Sequence, residues 1–289
     1  MCSMDEPKAW ATMPCPGPGN SDEQSAVYNA MAVETLAVMW CGLQHLGLKD
    51  QTEQSWTATL YFDRLPHDFP DRALDLALAV LRSDAETRVK MQLGEKFMST
   101  LIYNHAGGLI DRIEAEQATN PLLRWLIGAV HWWAPSRELK ARLAHVADEE
   151  AWRADEAARD TPAVRIDFAA LRKPELARVW VDQHAKPDMD RDANWHALMD
   201  FERELIERRP DAAIDLVLEV LRIETSPQLL SVLAAGLVED VIGLDTIARI
   251  EREAAGNERF RDLLGWVWYF NESPELRARL DAIVKGRHW

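Results

Sequence analysis

Two adjacent carboxylates, Glu239 and Asp240, stand inside the apolar run Leu237-Val238-Glu239-Asp240-Val241-Ile242. A carboxyl set against apolar surface can hold its proton to higher pH and serve as an acid or base. Neighbours on a helix point about 100° apart, however, so the two cannot form a facing dyad. Their simpler role is to bond a nearby arginine or a helix N-terminus. Asp188-Met189-Asp190-Arg191-Asp192 imitates the start of a calcium loop. Ala193 stands where that loop needs glycine for its sharp turn, and Met199 where it needs a bidentate glutamate. These acids are expected instead to cap the helix that starts near Asn194. His184 and His196 flank the segment, yet no histidine or cysteine pair has zinc spacing. His131 reads as a packed histidine rather than a ligand. No Gly-x-Ser-x-Gly elbow, phosphate-binding loop or dinucleotide fingerprint occurs. The expectation is therefore no metal, no cofactor and no catalytic set.

The elements that position these residues come twice. Leu36-Ala37 with Trp40 returns as Leu176-Ala177 with Trp180, and Pro70-Asp71, Asp75-Leu76 and Val80-Leu81-Arg82 return as Pro210-Asp211, Asp215-Leu216 and Val220-Leu221-Arg222. Arg112-Ile113-Glu114 returns as Arg249-Ile250-Glu251, and Arg142-Leu143 as Arg279-Leu280. The order never breaks and the offset drifts only slightly, which reads as a tandem duplication with small loop indels. Inside each copy the apolar period is helical, as in Ile214, Val217, Leu218 and Leu221. Prolines and glycines punctuate the segments, with Pro70, Pro121, Pro210, Pro227 and Pro274 at helix starts. The expected fold is all-α: two units of six or seven helices, packed as antiparallel neighbours in a solenoid-like layer. The expected divisions are a flexible leader at 1–24, a first unit at 25–146, a linker at 147–173 and a second unit at 174–289. The linker starts as a charged, alanine-rich helix, breaks at Thr161-Pro162, and holds a short strand-like alternation at Val164–Phe168.

The aromatics follow the repeat. Trp40 pairs with Trp180, Trp56 with Trp195, Phe62 with Phe201, and Trp132-Trp133 with Tyr269-Phe270. An aromatic kept at one place in both copies reads as a core anchor rather than as part of a binding cage. The unpaired Trp10, Trp152 and Trp289 read as surface residues. The Arg112-x-Glu114-x-Glu116 and Arg249-x-Glu251-x-Glu253 triplets read as charges solvated or paired along one helix face.

The net charge is −15, from 48 acidic against 33 basic side chains. Such a surface repels phosphate backbones, so neither nucleic acid nor an anionic membrane is an expected partner. A basic protein is. Three cysteines without ligand company form no disulfide framework and fit a reducing cytoplasm. The N-terminus lacks the basic start and apolar core of a signal peptide. The expected function is a non-enzymatic acidic protein-binding module, such as an immunity protein that neutralises a toxin or a regulator of a basic partner. Its candidate binding residues are Glu239, Asp240, Asp188, Asp190 and Trp152. Two alternatives are an enzyme or small-molecule sensor using a pocket near Glu239 and Asp240, and a structural scaffold.

The second copy resembles a bacterial family of uncharacterised small helical domains. The resemblance rests on Leu176-Ala177 with Trp180, Leu233-Ala234-Ala235-Gly236 with Glu239-Asp240, then Ile247, Ile250-Glu251 and Val267-Trp268. It spans about residues 174–270. The first copy keeps Leu36-Ala37, Trp40 and Ile113-Glu114, but has Leu93-Gly94-Glu95-Lys96 and Ser99-Thr100 in place of the central segment. The family has no established activity, so the resemblance implies a helical fold and a duplication rather than a reaction.

Overall fold

A computed structural model describes residues 21–162, 164–269 and 273–285. Every regular element among these is helical. The strand-like run at 164–168 forms no strand, and Val164 lies exposed. Contacts divide the chain into two compact units, Met1–Thr161 with Pro187–Asp190, and Pro162–Lys186 with Arg191–Trp289.

In the first unit the Val33–Gln44 helix packs on Pro70–Arg82. Proline at the first turn gives up no backbone hydrogen bond, so Pro70 starts its helix without loss. Leu74, Ala77, Leu78 and Leu81 then step by three and four and are buried. The helix Glu53–Asp68 opens on a capping box, in which Thr52 accepts from the Ser55 amide. Ser99–Gln117, Pro121–Val130, Arg137–Val146 and Glu149–Asp160 complete the unit, the last three capped by Asn120, Ser136 and Asp148. The second unit pairs Lys173–Ala185 with Pro210–Ile223 in the same manner. Asp192 caps Ala193–Arg208 through the Asn194 amide, as expected of this acidic segment. Ser226, Asn257 and Ser273 cap the helices Pro227–Leu233, Glu258–Leu264 and Pro274–Val284.

A π-helical turn interrupts the helical run in each unit, at Leu93–Met98 and at Ala234–Val238. Such turns add one residue to the spiral and rotate the next helical segment about its axis. Ser99 and Glu239 are the first residues after them.

Several expectations change. The stretch read as leader turns helical at Ser21, and the remainder of it, with Trp10, lies outside the described residues, as does Trp289. Most of the stretch read as linker is folded, because the Glu149–Asp160 helix belongs to the first unit. Trp40 and Trp180 are core residues, but Trp56 is 54% exposed. On its helix Ser55, Ala58, Tyr61, Phe62 and Leu65 form the buried stripe, and Trp56 and Leu60 lie off it. Trp132 and Trp133 are exposed as well, although Tyr269, paired with Trp132 in sequence, is buried.

Candidate binding cleft

The Pro121–Val130 helix ends in a 3-10 turn, His131–Trp133, that carries two indoles out of the core. Across from it the Glu149–Asp160 helix supplies Trp152, Arg153 and Glu156. With Gly94 and Ala129 these side chains line a cleft of about 350 Å³. Trp152 forms its inner wall and is only 3% exposed, so it is a core residue rather than the surface residue expected. Its ring lies 4.8 Å from that of Trp125, whose Nε1 donates to Asp155 at 3.0 Å. Gly94, in the π-turn, is what lets the indole approach. A Cβ there would come within 2.8 Å of Trp152 Cη2 and 3.0 Å of Ala129 Cβ.

The charges around the cleft are unevenly satisfied. Arg153 bonds to Glu149 and lies 5.8 Å from the ring centre of Trp132. His131 packs at a tilt against Trp132, with ring centres 4.2 Å apart, and faces Glu149 at 3.5 Å. Its expected role as a packed histidine holds, although its buried Nδ1 has no partner among the described residues. Glu156 is half-buried and meets no donor among the described residues. The lining holds aromatic faces, one spent cation and one unspent carboxylate, with no hydroxyl or thiol. It is equipped to hold a ligand by its charge and its faces. The free thiol of Cys41 is pushed up to about 11 by burial, so it is not a nucleophile at neutral pH.

The other candidate residues lie elsewhere. Asp188 and Asp190 form a 3-10 turn in the segment grouped with the first unit, where Met189 enters the core and Asp190 faces Arg88 at 3.7 Å. Glu239 and Asp240 open the short Glu239–Val241 helix, half-buried and exposed respectively, and neither carboxylate meets a donor among the described residues. They belong to the second unit, and Trp152 to the first. Sequence reasoning missed Gly94, Trp132, Trp133, Arg153 and Glu156. The available signal was Gly94, within the Leu93-Gly94-Glu95-Lys96 run that sequence alone sets apart.

Residues 183–288 match a family of unknown function (DUF6869). No curated protein and no solved structure matches the chain. The DUF6869 match takes in Glu239, Asp240 and the second π-turn, and leaves out the tryptophan cleft and Trp180. It also takes in an ion network. Arg249 donates to Asp211 at 3.0 Å and to Asp215 at 2.6 Å, and Arg279 grips Glu251 with two bonds, at 2.8 and 2.6 Å. In the first unit Arg112 bonds Asp71 and Asp75, and Arg142 grips Glu114 at 2.9 and 2.6 Å. These triplets therefore tie one helix to another, where pairing along a single face was expected. Only Arg249–Glu253 runs along its own helix.

The ties have a pH signature. The Arg142 and Arg279 guanidinium bonds hold Glu114 and Glu251 below the ordinary carboxylate range. Burial pushes Asp215 upward, but Lys173 and Arg249 outweigh it, and the net shift is down. A carboxyl with a lowered folded pKa stabilises above its unfolded value, about 4, and loses that contribution as pH falls through the folded one. The melting temperature should hold from neutral pH to about pH 5 and drop below about pH 4. In the double variant Arg142→Gln, Arg279→Gln the drop should be shallower, starting from a lower plateau. Parallel curves for variant and wild type would show that these ties carry no acid sensitivity.

Proposed function

We propose that the chain is a tandem duplication of one all-helical unit, its antiparallel helices arranged as a short solenoid-like layer, and that it serves as a non-enzymatic acidic module binding a basic protein. The observation that carries the binding reading is the charge of −15, with unpaired acids such as Glu239, Asp240 and Glu156 among those described. The duplication is supported by the paired ion ties and by a π-turn before Ser99 and Glu239 alike. An immunity protein that neutralises a basic toxin in a reducing cytoplasm is the form of this reading that suits the cysteine usage. No described helix is long and apolar enough to cross a membrane.

The product of an adjacent gene is the first partner to test. Its association rate with the full chain should fall at least about tenfold between about 20 and about 500 mM salt, because long-range steering is screened. Glu239→Gln with Asp240→Asn should slow association further without changing the melting temperature. An association rate indifferent to salt would end the electrostatic reading. A reaction lost on Glu239→Gln, with folding intact, would favour the alternative of an enzyme or sensor built around Glu239 and Asp240 in the second unit.

A further inference from the structure

We propose that the tryptophan cleft of the first unit is a binding site for a methylated ammonium head group. Three indoles, Trp132, Trp133 and Trp152, contribute to one cleft of about 350 Å³. The face of an indole is the negative part of its quadrupole and attracts a cation within about 6 Å of the ring centre. Trp132 already does so, with the Arg153 guanidinium 5.8 Å from its centre. That arginine is bonded to Glu149, so its charge is spent. Glu156 lines the same cleft, half-buried, with no donor among the described residues. A ligand entering here therefore meets aromatic faces and one unbalanced negative charge.

The lining selects among cations. A bare ammonium is compact and strongly hydrated, and aromatic faces cannot replace the hydrogen bonds it would give up. Methyl groups spread the charge over a larger apolar surface, which rings can cover at small desolvation cost. An anion would meet Glu156 and the ring faces, both repulsive. A neutral hydrocarbon would bury Glu156 without pairing it, which costs free energy. In the second unit Tyr269, which pairs with Trp132 in sequence, is buried, so that position offers no exposed ring. The inference does not depend on the acidic surface having a protein partner, and it can stand if that reading fails.

The probes are choline, its uncharged isostere 3,3-dimethyl-1-butanol, and the amides of Nα-acetyl-trimethyllysine and Nα-acetyl-lysine. Binding to the full chain is followed by calorimetry, with tryptophan fluorescence as a second readout. Choline and the trimethyllysine amide should each bind saturably at one site. The uncharged isostere and the unmethylated lysine amide should bind at least about tenfold more weakly. Trp133→Ala should lose at least about tenfold in affinity, and Glu156→Gln about three- to tenfold. Trp133 is exposed, so its variant should melt like the wild type, and the loss is then a loss of the site. Tighter binding of choline would identify a free small molecule as the source of the head group. Tighter binding of the lysine derivative would identify a modified protein side chain, and either supports the site. The proposal fails if the uncharged isostere binds as well as choline, if neither methylated cation binds, or if both variants keep wild-type affinity.

Discussion

Replacing Trp180 with alanine should cost the second unit about 3–5 kcal/mol, the usual loss when a large buried aromatic is truncated. The indole is 1% exposed and is among the largest fully buried side chains. It stacks on His184 at 4.0 Å, and Trp195 meets the same imidazole edge-on at 4.7 Å. His184 Nε2 lies 3.3 Å from Glu202. Truncation therefore opens a cavity and also uncovers a buried polar pair. Trp180→Phe separates the two effects. The buried Trp180 Nε1 has no partner among the described residues, so phenylalanine forfeits no hydrogen bond and loses only volume. It should cost well under half as much. Trp56→Ala, the change with most exposed surface, should stay within about 0.5 kcal/mol of wild type. Urea unfolding of the full chain, followed by far-ultraviolet dichroism, orders the three. A Trp180→Ala chain as stable as Trp56→Ala would mean that the second core is not built on this indole.

The contrast between Trp180 and Trp56 marks how far periodicity carries. Helix starts were legible because proline, serine and aspartate act locally, and Pro70, Pro210, Asp192 and Ser273 do as their chemistry demands. The core stripes of Pro70–Arg82 and Pro210–Ile223 were legible because one face of each is continuously apolar. Trp56 was misread because a large apolar residue in matched sequence positions resembles a core residue even when it falls off the stripe. The π-turns leave no pattern of their own, since one added residue only shifts the phase of the next helical stretch. The ion ties were legible as residues and not as partners. Arg112 and Asp71 are far apart in sequence, and only the packing of Ser99–Gln117 against Pro70–Arg82 brings them together.

The candidate site was the least legible part, and the reason lies in the Glu149–Asp160 helix. It is charged nearly all round and has one buried residue, Trp152. By composition it is a linker. What docks it is a match between a single indole and two absent side chains. Gly94 leaves room for the Trp152 ring, and Gly128 leaves room for the helix start itself. Asp148 donates its amide to the Arg124 carbonyl at 2.9 Å, drawing the backbone against the Pro121–Val130 helix. The cleft exists because this polar helix can approach so closely. Its function and its stability therefore hang on the same glycines.

Gly128→Ala should test that dependence. In a helix interior the substitution ordinarily stabilises by up to about 1 kcal/mol, because alanine has the better propensity. Here a Cβ would lie 2.5 Å from the Asp148 carbonyl oxygen, 2.8 Å from its carbon and 3.0 Å from Glu149 Cα. All three are backbone atoms, so no side chain can swing aside. Overpacking of this kind costs about 1–3 kcal/mol, and it outweighs the propensity gain at all but the bottom of that range. The alternative to strain is release of the Glu149–Asp160 helix, which would expose Trp152 and shift tryptophan emission to the red. Either way the melting temperature should fall, by roughly 2–4 °C for each kcal/mol lost. Gly108→Ala is the matched control, since it lies within the Ser99–Gln117 helix and its Cβ would meet nothing within 4 Å. That variant should melt at or slightly above wild type. If Gly128→Ala instead behaved like Gly108→Ala, in melting and in emission, the close approach of the two helices would be wrong, and the tryptophan cleft would lose its inner wall.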